Sequence, residues 1–224
     1  SKRALSEASK YCQPVVISSE QSDGTFTRHP SFEDIDPQSR FVYLCSNETV
    51  NGIEMHRLPR LGIQAPLVVD ASSDFSTKPI DWVGSNVGVL YACASKNLGH
   101  PGVTLCVIRK DLLGTPSPSC PGVLCYTTNV REGNLWNTIA TFNVEVVNLY
   151  LQWLIAQGGV HEMERRSIAK SAMVYELIDN SGGFYSTPVS DPSIRSRMNV
   201  PFDVAGGDEA ITRDFLIQGW ERGI

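Results

Sequence analysis

Four short apolar runs constrain the fold of this chain more than anything else in it. They are Phe41-Val42-Tyr43-Leu44-Cys45, Leu67-Val68-Val69, Val87 to Cys93, and Val103-Thr104-Leu105-Cys106-Val107-Ile108. Several are apolar at successive positions, so both faces of the strand they predict are buried. That pattern calls for a sheet covered by helices on both sides and at least partly parallel. A further run, Pro14-Val15-Val16-Ile17, reads as one more short strand. Three runs end in polar clusters: Ser46 to Thr49, Asp70 to Ser73, and Ser95 to Asn97. In open α/β sheets ligands bind beyond the carboxyl ends of the strands, so three strand ends predict one site.

The last of these clusters holds Lys96, just past the run that ends at Cys93. With a second apolar run close behind, the lysine is expected to have little solvent around it. A desolvated amine is a usable nucleophile towards carbonyl groups; an amine that snorkels to water is the bland alternative. Asp70 stands at the end of a neighbouring run. A lysine and a carboxylate at two strand ends form the pair that pyridoxal phosphate chemistry needs: the amine binds the cofactor, and the carboxylate faces the pyridine nitrogen. The plainer role for Asp70 is to cap the following turn.

Beyond Asp111 the composition changes. Gly114 to Gly133, rich in proline, serine and glycine, predicts an exposed excursion. Apolar spacing then predicts helices over about 142–157 and 160–179, stopped by Gly158-Gly159 and Ser181-Gly182-Gly183, and another over 208–222. The expected division is a large domain over 1–158, and a linking helix with a small α+β domain over 159–224. Ser18 to Arg40 reads as a loop with one helical turn. Glu162, Glu164, Arg165, Arg166 and Lys170 predict a solvated helix face with i,i+4 pairs. His29, His56 and His161 are expected at the surface.

A formal net charge of −5 argues against nucleic acid as a partner, which would need a basic face. No apolar run approaches a membrane span of about 18 residues. The six cysteines, at 12, 45, 93, 106, 120 and 125, lack metal-site or disulfide-framework spacing. They are read as buried free thiols of a cytoplasmic protein that holds no metal.

Taken together, Cys45-Ser46-Asn47-Glu48-Thr49, Asp70-Ala71-Ser72-Ser73, Tyr91-Ala92, Lys96-Asn97-Leu98-Gly99, Asn137-Thr138 and Arg195 to Phe202 are far more specific than any lone signature. On these motifs the chain resembles the phosphoserine aminotransferase family, part of the fold-type I, class V pyridoxal phosphate enzymes. The resemblance implies an α/β fold with a mostly parallel sheet and part of a small C-terminal domain. It makes Lys96 the Schiff-base lysine and proton carrier, Asp70 the partner of the pyridine nitrogen, and Thr49 a hydroxyl contact to the ring. Ser95 stands where the family usually has a phosphate-binding glutamine. Asn137 and Thr138 match a pair that reaches the cofactor phosphate of a neighbouring subunit, which implies a homodimer with shared sites. Arg195 and Arg197 are read as holding the small domain together rather than binding substrate.

The implied reaction moves an amino group from glutamate to 3-phosphohydroxypyruvate in serine biosynthesis, with 4-phosphohydroxythreonine chemistry in vitamin B6 synthesis also allowed. Family members also carry upstream and downstream substrate-binding segments absent from these 224 residues, so the chain corresponds to the middle of such an enzyme. Two alternatives stay open: another class V aminotransferase, of alanine–glyoxylate or serine–pyruvate type, and a non-catalytic fragment or pseudoenzyme that keeps only the fold.

Overall fold

The structure is a computed structural model describing residues 2–22 and 24–224. Helix α1 (Lys2–Ala8) comes first. Six strands follow: β1 (Val42–Cys45), β2 (Asn47–Glu48), β3 (Ile53–Glu54), β4 (Leu67–Asp70), β5 (Val87–Cys93) and β6 (Thr104–Ile108). Helices α2 (Tyr126–Arg131), α3 (Thr141–Ala156) and α4 (Gly159–Asp179) precede β7 (Tyr185–Ser186), β8 (Asp203–Val204) and α5 (Glu209–Glu221). Contacts divide the chain into two compact units that are discontinuous in sequence. A sheet unit comprises Pro37–Leu44 and Leu58–Met163; a tripartite unit comprises the residues up to Asp36, Cys45–Arg57 and Glu164–Ile224.

In the sheet unit the strand order is β1-β4-β5-β6. β4 and β5 run parallel, with Val69 opposite Leu90 and Asp70 opposite Tyr91. β5 and β6 run antiparallel, Val89 opposite Ile108 through Cys93 opposite Thr104. Because side chains alternate across a strand, this register sends Leu67, Val69, Leu90, Ala92 and Ala94 to one face, where none is exposed. Asp70, Tyr91 and Cys93 point to the other face. The chain after β5 then folds back, so that Leu98 (2 % exposed) joins Ala92 and Ala94 against Phe75, Val103, and the α3 residues Val147 and Tyr150. Burying such a leucine contributes about 1.5–3 kcal/mol. β6 departs from the expectation of burial on both faces: as an edge strand it leaves Leu105 and Val107 each 37 % exposed.

In the tripartite unit β2 and β3 form a hairpin, Asn47 opposite Glu54. The Arg195–Phe202 segment is bonded to it: Glu54 N donates to Ile194 O (2.9 Å) and Ser196 N to Gly52 O (2.8 Å). Gly52 has φ +72°, and a Cβ there would stand 2.4 Å from Pro201 Cδ, so only glycine fits the turn. β7 pairs with β8, and Tyr185 packs edge-on against Phe184, Phe202 and Phe215, the last on α5. Asp208 caps α5 by accepting from Ala210 N and Ile211 N.

Several expectations are corrected. Pro14 to Ile17 is not a strand: Val15 and Val16 are 79 % and 61 % exposed, and among the described residues no ladder partner stabilises the run. All six cysteines are free, as expected, yet only Cys125 is buried. Glu164 does not lie on a solvated face; it accepts from Arg57 Nη1 at 2.5 Å and Arg197 Nη1 at 2.9 Å, with 12 % of its side chain exposed. His29 and His56 are half-buried, His56 Nε2 lying 2.8 Å from Arg195 O, and burial lowers the His29 pKa. Among the described residues no helix is long and apolar enough to cross a membrane.

Candidate active site

The site is built from two turns that follow parallel strands. After β4, Asp70 turns the chain by accepting from Ser72 N at Oδ1 (3.0 Å). After β5, Ala94 to Gly99 forms the lysine turn. The two turns are cross-linked. Asn97 Nδ2 donates to Ser73 O (2.7 Å), Ser76 Oγ donates to Asn97 O (2.8 Å), and Ala71 N donates to Tyr91 O (2.9 Å). Buried Ala94 and Leu98 anchor the lysine turn on either side of Lys96.

Lys96 itself is exposed, and among the described residues its ammonium makes no hydrogen bond and no ion pair. The expectation of a lysine with little free solvent is thus corrected. β5 ends at Cys93, and the three further residues carry the side chain clear of the second apolar run. The amine stands on a rigid base with its donors unspent.

Asp70 is half-buried on the Tyr91 face of the sheet. Its Oδ2 accepts from the Tyr91 hydroxyl (3.0 Å), which lies 3.1 Å from the Tyr43 hydroxyl. Burial, then the Tyr43 contact and the Asp70 charge, raise the Tyr91 pKa, so its phenol stays protonated. Ser95 is exposed and its hydroxyl lies 3.2 Å from Cys93 Sγ. That bond, ahead of the opposing effect of burial, holds the Cys93 thiol below its usual value. The structure therefore brings Asp70, Tyr91, Cys93, Ser95 and Lys96 to one end of adjoining strands.

Asn137 and Thr138 lie in the exposed stretch ahead of α3, and among the described residues no hydrogen bond joins them to the other candidates. Thr49 belongs to the tripartite unit, in the turn between β2 and β3. Gly52 N donating to Glu48 O (3.1 Å) and Asn51 N donating to Glu48 Oε2 (2.8 Å) shape that turn. The strand leading into it is held by a buried network. Ser196 Oγ donates to Asn47 Oδ1 (2.6 Å), Asn47 Nδ2 donates to Asn199 Oδ1 (2.8 Å), and the Tyr175 hydroxyl donates to Ser196 O (2.9 Å). Arg195 is buried, forks onto Asp179, donates to Val189 O and stacks 4.8 Å from the Tyr175 ring, which is the structural role expected of it. Tyr43 was not foreseen as a site residue, and Tyr91 only as part of a motif. A phenol in an otherwise apolar strand is the one signal that could have marked them.

Polar and nucleophilic side chains at the carboxyl ends of parallel strands, in a sheet with α3 packed against its core, define an α/β enzyme-like site. A family model described as aminotransferase class-V matches residues 4–218, and the chain belongs to that family. It is 42 % identical over 226 residues to the phosphoserine aminotransferase of Albidiferax ferrireducens, covering 99 % of this chain and 60 % of that protein. With that of Burkholderia multivorans it shares 39 %, covering 100 % and 61 %. The solved phosphoserine aminotransferase from Bacillus circulans subsp. alkalophilus superposes with a TM-score of 0.90 at 33 % identity, covering 99 % of this chain and 60 % of that one. The PLP-bound phosphoserine aminotransferase from Trichomonas vaginalis gives 0.80 at 32 %, covering 91 % and 60 %. The chain spans about three fifths of the length of these relatives. Its fold is the α/β fold that they have.

Proposed function

We propose that this chain is the cofactor-bearing part of a phosphoserine aminotransferase. It moves the amino group of glutamate to 3-phosphohydroxypyruvate, giving 2-oxoglutarate and phosphoserine, a step of serine biosynthesis. The observation that carries this reading is the free ammonium of Lys96, set by two cross-linked turns next to the strand that ends in Asp70. The donor set suits pyridoxal phosphate: an amine for a carbonyl carbon, an acceptor-only carboxylate for a protonated ring nitrogen, and hydroxyls for oxygens. When bound, that cofactor supplies an electron sink.

The protein's own groups then divide the work. Lys96 Nζ would hold the cofactor and, once released, would take and return the proton that moves during transfer. The Asp70 carboxylate would keep the ring nitrogen protonated. Thr49 would offer a hydroxyl to the ring, and Ser95 a short hydroxyl to the phosphate. Asn137 and Thr138, exposed and unspent, serve the phosphate of a second copy, so the working form is a homodimer with shared sites. In this reading 1–158 belongs to the pyridoxal phosphate domain and 159–224 to the linking helix and small domain. The enzyme acts in the cytoplasm, and the reading also allows 4-phosphohydroxythreonine chemistry.

Borohydride reduction in the presence of pyridoxal phosphate, followed by intact mass and peptide mapping, tests the reading. A phosphopyridoxyl group on Lys96, absent from Lys96→Ala, is the expected result. No adduct in the full-length dimer would overturn it in favour of a non-catalytic scaffold. Transfer from alanine to glyoxylate, or from serine to pyruvate, outpacing transfer from glutamate to 3-phosphohydroxypyruvate would assign a different class V activity.

A further inference from the structure

We infer that Tyr43 and Tyr91 form a two-phenol relay that positions the Asp70 carboxylate, which makes both tyrosines positioning residues for the proposed reaction. The inference rests on the functional reading above and adds to it how Asp70 is held.

The geometry follows from strand register. Asp70 and Tyr91 are opposite each other on parallel β4 and β5, so their side chains leave the same face, and the Tyr91 hydroxyl meets Asp70 Oδ2 at 3.0 Å. Beyond it stands Tyr43, hydroxyl to hydroxyl at 3.1 Å, brought from β1 on the far side of β4. Proton inventory sets the direction. A phenol has one proton to donate and an ionised carboxylate has none. Tyr91 spends its proton on Asp70, so within the 3.1 Å Tyr43–Tyr91 contact Tyr43 is the donor. The Tyr91 phenol stays protonated because it is half-buried and faces a negative charge, so the direction holds across the working pH range.

The carboxylate consequently receives donors on both oxygens, Ser72 N on Oδ1 and Tyr91 on Oδ2. Two donors on separate oxygens fix the plane of the group and with it the direction of the remaining lone pairs. Within the β5 sequence VGVLYAC, Tyr91 alone carries an O–H. A phenylalanine would fill the same space without the need to satisfy a half-buried hydroxyl. The hydroxyl is therefore assigned to Asp70 rather than to packing.

The test uses the full-length protein loaded with pyridoxal phosphate, with Tyr91→Phe, Tyr43→Phe and the double variant. Each is measured for cofactor affinity by fluorescence titration of the stripped protein, for the thermal midpoint of that stripped protein, and for kcat and KM. Removing a group that orients a ligating side chain weakens metal binding by about 10- to 100-fold, and a loss of that order in cofactor affinity is expected of Tyr91→Phe with the thermal midpoint little changed. In the relay Tyr43 reaches Asp70 by way of the Tyr91 hydroxyl, so Tyr43→Phe is expected to weaken binding about fivefold, the loss of one neutral hydrogen bond, and to add nothing further in the double variant. Affinity within twofold of wild type for Tyr91→Phe, a lowered midpoint with unchanged affinity, or single effects that multiply in the double variant would each overturn the relay. Absence of the Lys96 adduct in the wild-type protein would overturn the functional reading itself, whereas an intact adduct with an indifferent Tyr91→Phe would overturn the relay alone.

Discussion

Gly52→Ala is the substitution whose cost can be worked most directly from the structure. Gly52 closes the β2–β3 turn at φ +72°, where a side chain meets its own backbone. That conformation costs an L-residue about 1–2 kcal/mol. The added Cβ would also stand 2.4 Å from Pro201 Cδ and 2.6 Å from Cγ, with Asn199 O at 3.3 Å. The proline ring cannot swing aside as a flexible chain end would, so overpacking adds about 1–3 kcal/mol. The sum is about 2–5 kcal/mol, which for a chain of this length lowers the thermal midpoint by about 4–20 °C. Urea and thermal unfolding followed by circular dichroism measure it. The two parts separate in a cycle: in a Pro201→Ala background the Gly52→Ala cost should fall to the backbone part, about 1–2 kcal/mol. A cost below about 1 kcal/mol in the wild-type background would refute the argument, as would a cost that Pro201→Ala leaves unchanged.

Two further outcomes are expected. Lys78 Nζ meets Asp74 Oδ2 at 2.5 Å, with side chains only 6 % and 1 % exposed; Lys78→Ala breaks this buried ion pair and should cost about 3–5 kcal/mol in urea unfolding, whereas replacing both by Met and Leu should cost much less. Arg57, ahead of Arg197, holds the Glu164 carboxyl below its usual 4.5. Its folded value lies under its unfolded one, so this stability is present above about pH 4.5 and lost as pH falls through the folded value. Glu164→Gln should therefore lower stability at neutral pH and flatten its decline in acid, as read from urea midpoints across that range.

Helical periodicity and strand-ending clusters placed most elements within a residue or two, β5 and α4 most closely, because those signals are local. The strand-end positions of Asp70, Ser95 and Lys96 were legible for the same reason: each lies at or within three residues of the end of an apolar run. What escaped depended on distant pairing. Glu164 reads as one half of an i,i+4 pair, yet the arginines it meets lie 107 residues before it and 33 after it. Val15 and Val16 look like strand residues, and only the lack of a neighbouring strand shows otherwise. Tyr43 and Tyr91 are 48 positions apart, and nothing short of the sheet order and the register sets them side by side on either side of a carboxylate's strand.

The stitched construction of the tripartite unit has a consequence in time. Asn47 is buried with its amide held by Ser196 and Asn199, and Ser196 lies 149 residues further along the chain. At ribosomal speeds of about 5–20 residues per second, that partner leaves the ribosome roughly 7–30 s after the hairpin that needs it. The strands that follow the hairpin, β4 to β6, emerge and find one another well inside that interval. For those seconds the nascent chain carries paired strands and a hairpin still without its later partners. Chaperones, or sticky neighbours, meet it in that state, so a lesion in the Arg195–Phe202 segment would be felt first as a loss of yield during synthesis.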